Sequence, residues 1–522
     1  MRNMNDISIL DSTLRDGAQG VGISFSVEDK LQIVQLLAKL GIHYIEAGNP
    51  FSNPKDLEFF KRLKPIENSK ITAFGSTRRK NIAAQEDKNL QSLLDAGTQV
   101  CSIFGKSWGF HVKEVLETTL QENLLMIEDS CRFLKSRQRE VIYDAEHFFD
   151  GYMDNNHYAM ETLYAAVRGG ADIVCLCDTN GGTLPGDTAK IVGEVTARLD
   201  KPVGLHFHND SGMATANSIL GVNQGAVHVQ GTFLGFGERC GNASLIEVIA
   251  GLQLKCSCRC LNDSSLAGLT QTARGIAAVA NVRIPGNMPY VGKNAFAHKA
   301  GMHAAGVIKN AASFEHISPD LVGNKRRLPA SEISGKKVVL EHVKQIMPNC
   351  SITPMQIEEI VNRVKMLEMG GYQFEGAEAS FELLVRKSLG EAGNFFRLKY
   401  YRIYTNYSPS GEEIGASAVV KVKVKDEVQL MAAEGNGPVN ALDKALRKAL
   451  ELFYPVLSKV KLIDYKVRVL ESKSATASPV RVLMTSSVGE QSFTTVGVSE
   501  DVVAASWKAL EDSIEYLLIN YN

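Results

Sequence analysis

A chain of 522 residues exceeds what one compact core holds, so two or three domains are expected. Its apolar fraction of 44% and charged fraction of 22% are ordinary for a globular protein, and 57 Lys+Arg against 58 Asp+Glu leave a formal net charge of −1. That balance removes the electrostatic argument for a nucleic-acid binder or a polybasic membrane protein. The N-terminal MRNMNDISILDSTLRDG has no apolar h-region, and no run of about 18 apolar residues occurs. Neither a signal peptide nor a membrane span is expected, and a cytoplasmic location with reduced thiols is.

Along roughly the first 255 residues, short β-branched runs alternate with longer amphipathic ones. The strands predicted are Ile7–Leu10, His43–Ala47, Ile71–Phe74, Val100–Phe104, Val141–Tyr143, Ile173–Leu176, Val203–Leu205 and Val227–Gln230. Between them, Ser26–Leu40 reads as a helix capped by Ser26, with Val27, Leu31, Val34, Leu37 and Ala38 on one face. Val115–Leu134 and Thr188–Leu199 read the same way. Eight strand–helix units in about 250 residues match a (β/α)₈ TIM barrel in the α/β class. A doubly wound sheet is the alternative, but it gives no reason to stop at eight.

Cys256, Cys258 and Cys260 alternate as C-x-C-x-C without the second ligand pair of a zinc motif, so they read as ordinary thiols. Residues from about 256 to 350 read as a mostly helical linker subdomain containing Pro289–Lys309, which is rich in Gly, Ala and His. From about 375 a weak repeat follows. Ala418–Lys425, then Lys466–Leu470 with Val480–Thr485, precede the amphipathic stretches Gly437–Pro455 and Gly497–Leu518. Two β–β–α units of this kind predict a pseudo-symmetric α+β domain that regulates or dimerises.

In a TIM barrel the active site forms at the C-terminal ends of the strands. Residues able to do chemistry collect there: Arg15 and Asp16, Glu46, Ser76 to Arg78, Lys106, Asp144 and Glu146, Asp178 and Thr179, His206 and His208, then Glu238, Arg239 and Asn242. His206 and His208 stand at i and i+2 on a strand, so both imidazoles face one side and can reach one ion; a buried hydrogen-bonded pair is the plainer alternative. With Asp16 and Asn242 they form an N₂O₂ set that suits Zn, Mn, Co or Mg, and geometry alone does not choose. Arg15 beside Asp16 is either an ion pair or an oxyanion stabiliser. Thr179 either donates to a substrate carboxylate or caps a helix. His303, in a glycine-flanked stretch with His298, is either a satisfied polar side chain or an acid–base group.

Asp11–Gln19 (DSTLRDGAQ), the H-x-H at 206–208 with HNDSGMATANS, and Gly237–Leu245 (GERCGNASL) resemble the three signatures of the DRE-TIM metallolyase superfamily. That superfamily includes isopropylmalate, homocitrate and citramalate synthases and hydroxymethylglutaryl-CoA lyase. FGSTRRKN, IFGKSW, YDAEHFFDGY, CDTNGGTLP, YVGKNAFAHKAGMH, GYQFEGAEASFELL and AEGNGPVNALDKALRKAL resemble the citramalate-synthase branch along nearly the whole chain. The resemblance implies metal ligands at Asp16, His206, His208 and Asn242, keto-acid contacts at Arg15, Asp144 and Thr179, and a catalytic role for Glu146. The SGxH-type motif falls on Ala300–His303, and the resemblance implies a homodimer in which His303 acts in the partner's active site. The implied division is a catalytic barrel over 1–260, helical linker subdomains over 261–374, and a regulatory and dimerisation domain over 375–522. The implied reaction is Claisen condensation of acetyl-CoA with pyruvate, with an end-product amino acid, isoleucine first and leucine second, as effector at the C-terminal domain. A larger keto acid, as in isopropylmalate or homocitrate synthase, is the nearest alternative, and a carbon–carbon lyase a more distant one. Leu234 departs from relatives that often carry Asn there.

Overall fold

The computed structural model describes residues 5–329, 335–391, 393–405, 415–470, 478–489 and 491–521, so Met1–Met4 of the N-terminal segment lie outside it. Two compact units result, one of residues 1–296 with 317–325, the other of 297–316 with 326–522.

The first unit holds eight parallel strands closed into a barrel: β1 (Ser8–Asp11), β2 (Tyr44–Gly48), β3 (Lys70–Ser76), β4 (Val100–Lys106), β5 (Glu140–Glu146), β6 (Ile173–Asp178), β7 (Val203–Phe207) and β8 (His228–Gly231). β1 closes the ring by pairing with β8, Ser8 opposite His228 and Asp11 opposite Gly231. Just outside it, Asn5–Asp6 pairs in parallel with Cys258–Arg259.

Helices form the crossovers, and some carry readable end signals. α1 (Val27–Leu40) starts at Ser26, whose hydroxyl accepts Asp29 N at 3.1 Å while the Asp29 carboxylate accepts Ser26 N at 2.8 Å, a full capping box. It stops at Gly41, φ +92°. α2 (Pro54–Arg62), α3 (Lys88–Asp95), α4 (Leu120–Ser136), α5 (Phe148–Gly169), α6 (Pro185–Thr196), α7 (Ala214–Asn223) and α8 (Leu245–Lys255) complete the outer ring. The helix predicted over Val115–Leu134 is broken in two. A short helix ends at Glu114, and α4 begins only after Thr119 caps it, because Glu117 takes φ +49° and interrupts the spiral.

Strand alternation sorts the barrel residues. Ile9, Ile45, Cys101, Val141, Val174, Leu205 and Val229 join the large core under the helices. Leu10, Tyr44, Val100, Ile142 and Ile173 form a separate buried cluster. Two residues further along the same inward positions come Glu46, Ser102 and Asp144, so the interior turns from apolar to polar towards the strands' C-terminal ends. After α8, α9 (Leu269–Val279) packs on α1 and belongs to the barrel unit.

The second unit contains α10 (Gly301–Lys309), α11 (Lys336–Ile346), α12 (Pro354–Met369), α13 (Glu378–Ser388) and two three-stranded antiparallel sheets. The sheets are β9 (Arg397–Thr405), β10 (Ala416–Val424) and β11 (Glu427–Gly435), then β12 (Val460–Val469), β13 (Val480–Val488) and β14 (Gln491–Ser499). α14 (Pro438–Leu450) follows the first sheet and α15 (Val502–Tyr521) the second. Each repeat is therefore β–β–β–α, not the β–β–α read from sequence. Central β10 alternates cleanly between buried and half-buried residues, whereas β9 and β11, which the sequence reading did not place, are mostly exposed or half-buried. Among the described residues, no helix is long and apolar enough to cross a membrane.

Candidate active site at the barrel mouth

The loop after β1 is wired before it reaches any ligand. Asp11 accepts both Thr13 N (2.9 Å) and the Thr13 hydroxyl (3.0 Å), and that hydroxyl in turn accepts Phe233 N at 2.8 Å from the loop after β8. Ser12 donates to Glu46 Oε2 at 2.6 Å and accepts Asp16 N at 3.3 Å. Arg15 and Asp16 are thereby held over the barrel. Arg15 donates through Nε to Glu46 Oε2 (2.7 Å) and through Nη1 to Asp16 Oδ2 (3.1 Å), and its guanidinium lies 3.8 Å over the Phe74 ring. These bonds leave Nη2 for a ligand.

His206 and His208 meet that loop from β7. His206 Nε2 lies 3.3 Å and His208 Nε2 3.8 Å from Asp16 Oδ2, and all three side chains are buried. Burial opposes the Asp16 charge, but Arg15 and the two imidazoles outweigh it and hold the carboxyl well below the usual carboxylate range. Burial and the neighbouring His206 lower His208 to about 4. Burial also lowers His206, yet its bond to Asp16 wins and its pKa rises.

Asn242 is brought alongside by the loop after β8. Its backbone bridges His208, and Ala243 N donates to Phe207 O at 2.9 Å. Two glycines make that return possible: Gly241 at φ +83°, where an added Cβ would lie 2.0 Å from Gly235 O, and Gly237 at φ +153°, where it would lie 2.2 Å from Asn242 Nδ2. Asn242 Nδ2 donates to Phe236 O at 3.1 Å, so the amide oxygen is the free end. Asn242 Oδ1 and Asp16 Oδ1 are buried without a hydrogen-bond partner. Two buried orphan oxygens beside two imidazoles, with ligand atoms of Asp16, His206 and His208 all within 4.8 Å of one another, fit a divalent cation.

A second cluster, Asp144 with Cys175 and Cys177, has comparable spacing. It does not fit an ion as well. Burial pushes the Cys177 thiol up to about 11 and Cys175 well above its ordinary value, and both Asp144 oxygens already accept hydrogen bonds.

A cavity of about 240 Å³ opens over this centre, lined by Arg15, Asp16, Asp144, Glu146, Thr179, His206 and His208. Thr179 Oγ1 accepts His147 N at 2.9 Å, which points its own proton elsewhere. Glu146 is ion-paired with Lys106. Asp144 accepts Ser102 Oγ (2.7 Å) and Gln230 Nε2 (2.8 Å), and burial with the Glu46 charge raises it to about 6. Phe74 and Phe104, stacked at 5.4 Å, complete the wall. His303 lies on α10 of the second unit, exposed and stacked on Phe314 with ring centroids 4.4 Å apart.

Glu238 also lines the cavity, while other polar strand ends serve the scaffold. Arg78 is tied to Glu122 (2.8 Å) and Asp129 (2.9 Å), Asp178 accepts Thr183 N, and Arg239 forks onto Asp210. Leu234 packs against the barrel core. Sequence reasoning passed over Ser12, Phe74, Phe104 and Gln230. The signal for Gln230 was a polar residue at an inward position of a strand otherwise built for burial.

The chain matches three family models in order: HMGL-like over residues 6–273, homocitrate synthase post-HMGL domain-like over 290–370, and the LeuA allosteric (dimerisation) domain over 375–518. It is 48% identical to the (R)-citramalate synthase of Aquifex aeolicus across 98% of each chain. The chain belongs to the (R)-citramalate synthase family. Its match to the citramalate synthase of Geobacter sulfurreducens is also 48%, over 99% of this chain and 98% of that one. The 2-isopropylmalate synthase of Methanocaldococcus jannaschii stands further off, at 30% over 98% and 95%. Metal-dependent chemistry is general to the superfamily around these citramalate synthases, in keeping with the cation-sized centre described above.

Proposed function

We propose that this enzyme condenses acetyl-CoA with pyruvate to give (R)-citramalate and CoA. The observation that carries the reading is one small cavity that gathers Arg15, Thr179 and the Asp16–His206–His208 centre, in a chain matching citramalate synthases end to end.

A divalent ion of the Zn, Mn, Co or Mg kind, held by Asp16, His206, His208 and Asn242, supplies Lewis acidity and a template for the keto acid. The chain's own groups do the rest. Thr179 donates its hydroxyl proton to the pyruvate carboxylate. Arg15 directs Nη2 at the keto oxygen, where negative charge grows as the new carbon–carbon bond forms. A base takes a proton from the acetyl methyl group, the resulting enolate attacks the keto carbon, and the alkoxide so formed takes up a proton, which balances the one removed. Glu146, on the cavity wall, and His303, on the second unit, are the two candidate bases. Water then cleaves the thioester, releasing CoA and citramalate. Phe74 and Phe104 wall the cavity, and its size sets which keto acid it prefers, one methylene being worth about 1–3 kcal/mol.

In this reading the C-terminal domain pairs two chains and binds isoleucine, and the enzyme works in the cytoplasm. The test is CoA release from acetyl-CoA with divalent metal, comparing pyruvate, 2-oxoisovalerate and 2-oxoglutarate. Release with pyruvate alone is expected. Preference for 2-oxoisovalerate would move the assignment to an isopropylmalate synthase, and no release with any of the three would refute condensation.

A further inference from the structure

Gln230 stands directly opposite His206 in the parallel register of β7 and β8, so the two side chains leave the sheet on the same face. Its amide oxygen is 3.1 Å from His206 Nδ1, and its amide nitrogen donates to Asp144 Oδ1 at 2.8 Å. The other Asp144 oxygen accepts the Ser102 hydroxyl at 2.7 Å. Gln230, Asp144, Ser102 and His206 are all buried, so solvent does not substitute for any of these bonds.

The orientation of the amide follows from its neighbours. A carboxylate accepts and does not donate, so Asp144 requires the NH₂ end of Gln230. The carbonyl end must then face His206. A carbonyl oxygen accepts only, so Nδ1 of His206 must carry the proton. In the neutral ring, the form that binds a metal, the lone pair is then on Nε2, the atom that lies 3.3 Å from Asp16 Oδ2 in the cation-sized centre. His208 has no equivalent device: its Nδ1 is buried without a hydrogen-bond partner.

We propose that Gln230 is a positioning residue that fixes the Nδ1–H tautomer and ring angle of His206, presenting Nε2 as a ready-made metal ligand. The inference rests on reading Asp16, His206, His208 and Asn242 as the metal ligands. Outer partners of ligating histidines of this kind are commonly worth about 10–100-fold in metal affinity.

The experiment is direct metal binding to the full-length, metal-stripped enzyme, by competition of Zn²⁺ or Mn²⁺ against a chromophoric chelator, with the melting curve of the stripped protein alongside. Gln230→Leu, which removes the acceptor, is expected to weaken metal binding by roughly 10–100-fold. Gln230→Glu keeps an acceptor for Nδ1–H and can share a proton with Asp144, so it is expected to bind within about 3-fold of wild type, below the roughly 10–100-fold that loss of such a partner produces. If Gln230→Leu fails to fold, Gln230→Glu still decides: a loss as large as 10-fold in that variant would overturn the proposal. Wild-type affinity in Gln230→Leu would also overturn it, as would a lowered melting point with unchanged metal affinity, which marks a merely structural residue. A wild-type enzyme that binds neither metal would instead refute the ligand assignment on which the inference stands.

Discussion

Glu46 takes the Arg15 Nε–H at 2.7 Å on the same oxygen that takes the Ser12 hydroxyl at 2.6 Å, so one fully buried carboxylate aims the guanidinium and ties down its loop. Removing one partner of such a pair leaves the other charge without compensation. Arg15→Lys keeps a charge but loses the planar fork, and kcat is expected to fall about 10²–10³-fold, the usual loss for one oxyanion donor. Glu46→Gln retains an acceptor and is expected to lose less. Steady-state rates with pyruvate check both, and equal losses would mean that Glu46 does more than aim Arg15.

Chelation should separate the metal centre from the scaffold. Dialysis against EDTA is expected to abolish condensation, and a divalent metal to restore it. His206→Ala and His208→Ala, each deleting one imidazole of the centre, are expected to stay inactive at any metal concentration tested while keeping the wild-type circular-dichroism spectrum. Recovery of either at high metal would show that the remaining side chains suffice.

Gly241 tests how Asn242 is placed. A Cβ there meets Gly235 O at 2.0 Å, and φ of +83° adds a left-handed penalty. Gly241→Ala is expected to cost on the order of 1–3 kcal/mol and to weaken metal binding as the loop shifts. Thermal melting with metal titration reads both, and unaltered metal binding would remove Asn242 from the ligand set.

The C-terminal unit carries its own pH dependence. Asp512, on α15, accepts Ser380 Oγ at 2.6 Å and lies 3.5 Å from Lys387 Nζ, and burial raises it to about 6 against an ordinary 3.8. Between those values the folded chain binds more protons than the unfolded one, so stability falls as pH rises through the interval. This contribution is present in full below pH 4 and lost above pH 6. Asp512→Asn is expected to flatten the melting temperature between about pH 4 and 6 and to raise it at the upper end by roughly 2–4 °C per kcal/mol regained. A wild-type midpoint that rises with pH across that range, unaltered in the variant, would contradict the assignment.

Isoleucine is expected to inhibit the intact enzyme, and deletion from residue 375 onward to leave partial activity without that response. Sensitivity that survives the deletion would place the effector elsewhere.

Much of this arrangement was legible in the sequence. The strand ends located Asp16, Glu146, Thr179 and the two histidines because barrel chemistry collects there, and the i, i+2 spacing put both imidazoles on one face. Ser102 and Gln230 were not legible. Their importance lies in partners 42 and 86 residues distant from or at Asp144, and a polar residue inside a strand does not announce its partner. The outer strands β9 and β11 escaped for another reason: with little burial they have little hydrophobic period to read.

The seam between β1 and β8 also sets a schedule. The Ser8 hydroxyl meets His228 across 220 residues of sequence. At about 5–20 residues per second, a ribosome takes on the order of 10–45 s to make that interval. Throughout it the first barrel strand has one edge with no partner yet synthesised, and open strand edges recruit other chains. The greatest danger of misassociation for this enzyme therefore falls during its synthesis, before the eighth strand emerges to claim the first.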